Sequence, residues 1–398
     1  MSSSADIKNT GLRGIRVADT KISYVDGTQG VLIYRGYTVE DLAAQSTFME
    51  VAFLLLNGEL PEADELRQFE ERIGEERALP AFIYECFGRL PKEALPMDVL
   101  QLAIPLLATA DPELHDGTRE GNLRKAMRLI ARVPVVTAAW HRIRNGLEPV
   151  AADASLGHAA NFLWQLTGQK PDPEISRDLD VCLILHADHT FNASTFACRE
   201  VVSTRAHMYA GVAAGVGALS GSLHGGANER VMEMLIRLKD EIDIAGWVRG
   251  QLDTGQKIMG MGHAVYKTTD PRGRILKEMS RRLGEKLGQS WWYELTAQVE
   301  EAALSEFARR GKTMLKPNVD FFSAAVYHMI GIPRDLMTPV FAISRIAGWC
   351  SHIIEEIFAE AQDKPVLYRP DSDYIGHYCG RTGCRYLPPE ARKKESQV

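Results

Sequence analysis

The sequence predicts an all-α protein that carries one small β element near its N-terminus. Apolar residues recur at helical spacing over most of the 398 residues, and Gly, Pro or Asn separates the periodic segments. The only convincing β-strand signal lies in residues 21–34. We therefore expect helices packed on helices, with a minor contribution from strands.

The β element comes first along the chain. Residues 21–25 (KISYV) and 31–34 (VLIY) flank a turn that starts at Asp26-Gly27. Two short β-rich runs around such a turn are typical of a small hairpin or meander.

Four later segments are the clearest helices because their apolar residues repeat with the helical period. They span residues 49–56, 96–107, 123–143 and 158–166. The segment from Tyr209 to Leu223 is dominated by Gly and Ala and is too short to cross a bilayer. Its glycines follow no strand and lack the spacing of a dinucleotide-binding loop, so we predict a buried helix that packs closely on others.

Composition excludes several classes of protein. A chain of 44.2 kDa with 45% hydrophobic residues can form one or two folded domains. Its net charge of −6 gives no general attraction to nucleic acid, so an anion must bind at a local basic patch. Residues 1–6 lack the pattern of a secretory signal, and we expect a cytoplasmic protein without a membrane segment.

Cysteines and histidines give little sign of a metal or a disulfide framework. The six cysteines, at 86, 182, 198, 350, 379 and 384, are sparse, which favours a reducing compartment. Cys379 and Cys384 could form a local disulfide or half of a metal site, but free thiols are the default expectation. His186 and His189 have helical spacing but no third ligand nearby, so no metal is expected.

His224 lies in a glycine-rich turn that leads into the helical pattern of residues 231–235. The positive end of a helix dipole disfavours protonation of a nearby histidine. A neutral imidazole in this place can donate a hydrogen bond to a carbonyl that is becoming an enolate. An ordinary turn histidine is the alternative.

His263 follows two glycines, Gly260 and Gly262, which allow a backbone to approach a ligand closely. Asp270 and Pro271 have the character of a helix start, which places Arg272 and Arg274 in the first turn. Cations there oppose the helix dipole, which makes more sense if an anion binds. A solvated charged face is the alternative.

Two further candidates are an aspartate and an arginine. Asp320 precedes the apolar run 321–327, where an aspartate is most often a helix cap, although apolar neighbours could also make it a stronger base. Arg345 shares a helical face with Phe341, Gly348, Trp349 and His352. A buried arginine on so apolar a face needs a partner, either a carboxylate ligand or an internal Glu.

Taken together, a carboxylate base, neutral imidazole donors and several guanidinium groups suit the enolisation of an acyl thioester beside a bound dicarboxylate. The segments that carry them occur in the order and spacing of the citrate synthase family, which the chain resembles over nearly its whole length. These segments are 187–189, 223–226, 261–266, 270–272, 317–320, 344–345 and 368–370, together with 27–37, 41–43 and 58–61.

The resemblance implies a mainly helical homodimer in which each subunit has a large and a smaller mobile domain. Here the large domain would comprise residues 1–226 and 332–398 and form the dimer contacts. The small domain would comprise residues 227–331, bind CoA and close over the substrate.

The resemblance also implies a role for each candidate residue. Asp320 would remove a methyl proton from acetyl-CoA, His224 would donate to the thioester oxygen, and His263 would polarise the ketone of oxaloacetate. The residues expected to hold the oxaloacetate carboxylates are His189, Arg272, Arg345 and Arg369, the last from the other subunit. Those expected near CoA are Met259, Gly260, Met261, Gly262, Lys267, Arg274 and Lys312. Acetyl-CoA is then a substrate, and no cofactor is expected.

Two rival functions remain open at the level of sequence. A 2-methylcitrate synthase would use propionyl-CoA with the same base, and one methylene in an apolar pocket changes binding by only about 1–3 kcal/mol. A non-catalytic sensor of CoA or of a tricarboxylate would not need Asp320, His224 and His263 together.

Overall fold

The computed structural model describes residues 11–12, 14–378 and 380–392. The chain divides into two compact units, Met1–Val366 and Leu367–Val398. Within the described residues it forms sixteen α-helices, three short strands and two 3-10 helices, so the predicted all-α class is confirmed.

The strands form one antiparallel sheet in the order β1-β2-β3. Their bounds are Ser23–Asp26, Val31–Tyr34 and Tyr37–Thr38. Ser23 pairs with Tyr34 and Val25 with Leu32, so the predicted hairpin is confirmed and a third, two-residue strand extends it into a meander.

The helices α1 to α16 follow in chain order. They span Val39–Gln45, Phe48–Asn57, Ala63–Glu75, Ala81–Arg89, Pro96–Thr109, Arg119–Arg144, His158–Thr167, Pro173–His186, Ala193–Ser203, Met208–Ser220, Ala227–Arg237, Ile244–Asp253, Pro271–Leu287, Ser290–Arg309, Val319–Met329 and Met337–Phe358. The 3-10 helices are Arg334–Leu336 and Pro389–Ala391.

Local signals account for many of the helix ends. Helix α2 begins with a capping box between Thr47 and Glu50 and ends at Gly58, whose φ of 98° is left-handed. All four segments with clear helical periodicity are helices, and α6 extends the predicted 123–143 by one turn to its cap at Thr118.

Helix α10 packs closely on α9, as its glycines predict. A Cβ atom at Gly215 would lie 2.4 Å from the Cys198 sulfur, and one at Gly211 would lie 2.7 Å from Val202. The predicted end of this helix is wrong, however. The helix stops at Ser220, and Leu223 is 98% exposed in the following turn.

Helix α16 is the centre of the larger unit. It packs against α2, α6, α8, α9 and α10, and every residue from Met337 to Glu356 is buried. The burial of residues 337–356 brings Arg345, His352, Glu355 and Glu356 into the protein interior, where an unpaired charge is costly.

The smaller unit carries the C-terminal segment, in which Tyr374 donates a hydrogen bond to the carbonyl oxygen of His377. Cys384 is disulfide-bonded, so the expectation of a free thiol is wrong for this residue. Cys379 lies outside the described residues. In the larger unit Cys86, Cys182, Cys198 and Cys350 are free.

Of the helices in the described chain, none has the length and apolar character needed to cross a membrane.

Candidate active site

His224 lies in the turn between α10 and α11, just ahead of the start of α11 at Ala227. The turn folds back tightly because the N–H of Gly225 donates to the carbonyl of Leu219 at 3.0 Å. A Cβ atom at residue 225 would lie 2.4 Å from that carbonyl oxygen, so only glycine fits. The predicted position of His224 at a helix start is confirmed.

The hydrogen bonds of His224 fix its tautomer. Its Nε2 accepts from the backbone N–H of Ser194 at 3.2 Å and lies 2.9 Å from the Ser194 hydroxyl. Burial, and then the charge of Arg345, lower the pKa of His224 to about 4. The ring is therefore neutral at pH 7, with its proton on Nδ1, where it can donate to a ligand.

His263 follows a segment that is tied to the segment before α15 by backbone hydrogen bonds. The N–H of Gly262 donates to Lys316 O at 2.8 Å, and the N–H of Asn318 donates to Gly260 O at 2.9 Å. The Asn318 side chain also donates to Gly262 O at 3.0 Å. Because α15 carries Asp320, these bonds fix the position of His263 relative to the candidate base.

His263 has the opposite tautomer to His224. Its Nδ1 accepts from the N–H groups of Val265, at 2.9 Å, and Tyr266, at 3.1 Å. Burial, and then the charge of Arg272, lower the pKa of His263 to about 4. This ring is also neutral at pH 7, and its proton lies on Nε2.

Asp320 is the second residue of α15 and is not the cap of that helix. The cap is Asn318, whose side-chain oxygen accepts from the N–H of Asp320 at 3.0 Å, so the alternative of a capping role for Asp320 is wrong. Its Oδ1 is buried and has no hydrogen-bond partner among the described residues. Burial raises the pKa of Asp320 to about 7 against the opposing charge of Arg272, which makes the carboxylate a stronger base.

Arg272 is only 2% exposed, in the first turn of α13. The predicted helix start is confirmed, because Asp270 caps the helix and Pro271 is its first residue. The carboxylate of Asp270 binds Arg272 in bidentate fashion, at 2.9 and 2.7 Å. Burial raises the pKa of Asp270, but Arg272 outweighs this and the pKa is lowered overall. The alternative of a solvated charged face is thus wrong for Arg272, whose charge is balanced within the protein.

Arg345 is 1% exposed but forms no ion pair with any carboxylate in the described part of the chain. Its Nε donates to the carbonyl of His186 at 2.7 Å, and its guanidinium lies 4.7 Å from the ring centre of Phe341. Burial lowers the pKa of Arg345 to about 10, so it remains charged at pH 7. The alternative of an internal Glu partner is wrong, and a buried, unpaired cation is suited to an anionic ligand.

His189 follows α8 and is 7% exposed. Its Nε2 lies 3.3 Å from the hydroxyl of Tyr266, and its ring centre lies 5.3 Å from that of His263. Burial, and then the charge of Arg272, lower the pKa of His189 well below its usual value. Arg345 also acts on this ring, so the structure brings the three histidines, Asp320, Arg272 and Arg345 into one region.

The residues predicted to bind CoA differ in their surroundings. Lys267, Arg274 and Lys312 are exposed and form no ion pair with a described residue, which leaves them available to an anionic ligand. Gly260 has a φ of 77°, and a Cβ there would lie 2.8 Å from Phe321, so the close approach of this glycine is to the protein itself. Met259 and Met261 of the same segment are partly buried.

Arg369 is the one predicted substrate residue that lies outside the unit Met1–Val366. It is exposed and belongs to the unit Leu367–Val398. Its role therefore stays a prediction from the family resemblance.

Sequence reasoning missed several residues that hold the reacting groups. Ser194 contacts His224 from thirty positions away, and nothing local connects the two. The capping role of Asn318 could have been predicted, because an Asn directly before an apolar helical run is a frequent cap. The contact between Tyr266 and His189 depends on the tertiary fold alone.

Comparison with known proteins identifies the family. The model described as "Citrate synthase, C-terminal domain" matches residues 11–371. This chain belongs to the citrate synthase family. The relative named citrate synthase 2 from Bacillus subtilis is 44% identical, and the match covers 92% of this chain and 95% of the relative. A protein named 2-methylcitrate synthase from Mycobacterium tuberculosis (strain H37Rv) is 40% identical over 94% of this chain and 91% of its own length.

Solved structures of the citrate synthase family share the fold. The enzyme from Pyrobaculum aerophilum is 36% identical with a TM-score of 0.88, covering 96% of this chain and 95% of the other. That from Thermoplasma acidophilum, a ternary complex with carboxymethyl coenzyme A and oxaloacetate, is 31% identical with a TM-score of 0.86, covering 96% and 98%. The predicted family and helical fold are confirmed, and the chain is an enzyme of the acyltransferase class.

Proposed function

We propose that this protein condenses acetyl-CoA with oxaloacetate and water to give citrate and CoA. The observation that carries the proposal is Asp320, whose buried Oδ1 has no hydrogen-bond partner among the described residues and whose pKa is raised. Arg272 and Arg345 act on Asp320, and they also act on the neutral rings of His263 and His224 respectively. A base of this kind beside two hydrogen-bond donors suits proton removal next to a carbonyl group.

In the first step Asp320 takes a proton from the methyl group of acetyl-CoA. The electron pair of the broken C–H bond moves toward the thioester oxygen, where the Nδ1–H of His224 donates a hydrogen bond. A neutral donor can match a developing enolate without the cost of a buried positive charge.

In the second step the enol carbon attacks the ketone of oxaloacetate and a C–C bond forms. The Nε2–H of His263 polarises the ketone oxygen and supplies the proton that this oxygen gains, and the proton that Asp320 took from the methyl group then restores the neutral His263. Attack of water on the resulting citryl thioester then breaks the C–S bond and releases CoA. These steps require no cofactor, because acetyl-CoA is consumed as a substrate.

The carboxylates of oxaloacetate are assigned to His189, Arg272 and Arg345, with Arg369 contributed by the partner in a homodimer. Arg345 supports this most directly, because it is buried and charged and forms no ion pair with a carboxylate among the described residues. Arg272 already holds Asp270, so the substrate would share this guanidinium rather than neutralise it alone.

CoA is assigned to the small domain, residues 227–331, and to the segment Met259–Gly262. Helices within this range pack mainly on one another, with α12 on α14, α13 on α14 and α15, and α11 on α15, which supports a separate closing body. The exposed cations Lys267, Arg274 and Lys312 are the assigned phosphate contacts. The Thermoplasma relative, solved with carboxymethyl coenzyme A and oxaloacetate, is consistent with this pair of ligands. A cytoplasmic location is part of the proposal; the four free cysteines of the larger unit favour it, whereas the disulfide-bonded Cys384 does not.

The second candidate is 2-methylcitrate synthesis from propionyl-CoA, which the similarity to the mycobacterial relative favours. The test is CoA thiol release from purified protein with oxaloacetate, run in parallel with acetyl-CoA and propionyl-CoA. A higher kcat/KM with acetyl-CoA supports the proposal, and a preference for propionyl-CoA reassigns the substrate. Release with neither would overturn both and favour a non-catalytic sensor.

A further inference from the structure

Asp188, directly before His189, is a fully buried carboxylate that the proposed mechanism does not use. It accepts hydrogen bonds from the Ser23 hydroxyl and, at 3.1 Å, from the N–H of Thr190. Its backbone carbonyl accepts from the Tyr34 hydroxyl at 2.9 Å. Strand residues and the turn after α8 are thus tied together through this one residue.

The turn that Asp188 holds is strained. Thr190 has a φ of 51°, a left-handed conformation that a β-branched residue rarely adopts. Its N–H is bound by both the Asp188 carboxylate and the Ser23 hydroxyl, at 3.1 and 3.0 Å. Such strain persists only when the surroundings enforce it. Here the enforced turn sets the direction of His189, which lies between Asp188 and Thr190.

His352 on α16 contacts Asp188 from the other side. Its Nε2 lies 3.3 Å from both carboxylate oxygens. Its Nδ1 lies 3.0 Å from Arg199, and a guanidinium can only donate, so the proton of His352 is on Nε2 and points at Asp188. The tautomer of His352 is therefore set by Arg199.

Arg199 is itself held by two buried carboxylates of α16. It donates to Glu355 at 2.6 Å and to Glu356 at 2.7 Å, and all three side chains are at most 1% exposed. Buried ionic networks of this kind are costly to form and rarely the most stabilising solution for a core. We therefore expect the network of Arg199, Glu355 and Glu356 to serve the positioning of His352 more than the stability of the core.

Asp188 also acts on Arg345. It is the strongest favourable charge on that buried guanidinium, which has no ion pair with a described carboxylate. A carboxylate placed beyond direct contact supports the positive charge and leaves the guanidinium free for a ligand. A carboxylate in direct contact would compete with the substrate.

We propose that Asp188 and His352 form a positioning pair for the oxaloacetate site. Asp188 enforces the turn that directs His189 and supplies a remote counter-charge for Arg345, while His352, oriented by Arg199, holds the Asp188 carboxylate in place. The inference rests on the proposed function, because it assigns His189 and Arg345 to oxaloacetate.

The test is Asp188→Asn in the full-length enzyme, with oxaloacetate binding measured calorimetrically without acetyl-CoA and steady-state KM values measured for both substrates. Loss of residues that orient binding groups typically weakens function by about 10–100-fold, so we expect the Kd and KM for oxaloacetate to rise by at least roughly tenfold. The KM for acetyl-CoA should change little. His352→Gln, which can still donate to Asp188, should retain more affinity than His352→Leu.

The matched control is Asp111→Asn, because Asp111 is also a buried carboxylate, bound to Arg128 and Tyr209 away from the site. It should lower the Tm without changing the KM for oxaloacetate. Asp188→Asn with a lowered Tm but unchanged oxaloacetate affinity would overturn the inference, as would equal losses in the two His352 variants. If the wild type bound no oxaloacetate, the proposed function itself would fail.

Discussion

The turns that carry His224 and His263 present the same side chain in two opposite ways. Both rings are partly buried and neutral, with pKa values near 4. Yet His224 accepts a backbone hydrogen bond at Nε2 from Ser194, whereas His263 accepts two at Nδ1, from Val265 and Tyr266. The proton is therefore on Nδ1 in one ring and on Nε2 in the other.

This difference shows how a fold assigns two roles to one residue type. Burial keeps the imidazole ring neutral in both histidines. The direction of neighbouring N–H groups sets which nitrogen donates, and it does so differently in each turn. The role of a histidine thus depends on backbone geometry that its own sequence neighbours only partly determine.

The two histidines have donor roles only if Asp320, and neither ring, removes the methyl proton. A pKa near 4 makes each ring a weak base, while Asp320 has a pKa of about 7. We expect Asp320→Asn to lower kcat by about 10²–10⁴-fold, the usual contribution of a general base. CoA thiol release measures turnover, and calorimetry should show that oxaloacetate still binds.

A parallel loss of oxaloacetate binding in Asp320→Asn would instead indicate a structural role for this carboxylate. His328→Gln on the same helix serves as a control, because His328 is half-buried and lies outside the proposed machinery. Its turnover should remain close to that of the wild type.

Substitutions by Asn and Gln at both positions test which ring nitrogen donates in each histidine. The amide nitrogen of Asn lies near the position of Nδ1 in His, and that of Gln lies near Nε2. His224→Asn should therefore retain more activity than His224→Gln, and His263→Gln more than His263→Asn, in each case by about tenfold, since one donor is worth roughly 10²–10³ in kcat when fully lost. The measurement is the kcat of the four variants, compared between Asn and Gln at each position. The same order at both positions would contradict the assigned tautomers.

The pH profile separates the base from the two donors. Asp320 must be ionised to act, so its raised pKa places the loss of activity below about pH 7, where kcat/KM should fall by about tenfold per pH unit. The histidines, with pKa values of about 4, stay neutral through this range and cause no further change in kcat/KM with pH. Rates from about pH 5.5 to 9 would check this, and a flat acidic side would contradict the raised pKa of Asp320.

The smallest expected effect comes from the group that orients His224. Ser194→Ala removes the hydroxyl at 2.9 Å from Nε2 but keeps the backbone N–H that sets the tautomer. One net hydrogen bond is worth about 0.5–1.5 kcal/mol, so kcat should fall about two- to tenfold. The KM for oxaloacetate should not change. A loss as large as that of His224→Gln would mean that the hydroxyl, and not the backbone, fixes the ring.

Much of the fold was predictable because helical periodicity and caps are local signals. The segment predicted as 158–166 is the helix His158–Thr167, and the meander around Asp26-Gly27 has the expected strands. The prediction for Tyr209 to Leu223 ran too far, because Leu223 is apolar yet exposed. Sequence periodicity cannot distinguish an apolar residue in a turn from one more residue of a buried helix.

The candidate site was predictable in its residues and less so in its contacts. Asp320 and His263 stood out by their glycine-rich or apolar surroundings. The tertiary structure alone shows that Arg272 pairs with Asp270, whereas Arg345 has no ion pair in the part of the chain that the structure describes. Likewise, the disulfide at Cys384 was not expected from so sparse a set of cysteines.

The hydrogen bonds between residues 260–262 and 316–318 have a consequence for how this enzyme can diverge. They join main-chain groups, with Gly262 bound to Lys316 and Asn318 bound to Gly260, and so depend little on which side chains stand at Met261 or Lys316. Substitutions at those two positions can therefore accumulate without changing the distance between His263 and Asp320. Gly260 has no such freedom, since any side chain there would collide with Phe321. The main chain thus sets the separation of the two reacting groups, and Gly260 is the position of this segment that least tolerates substitution.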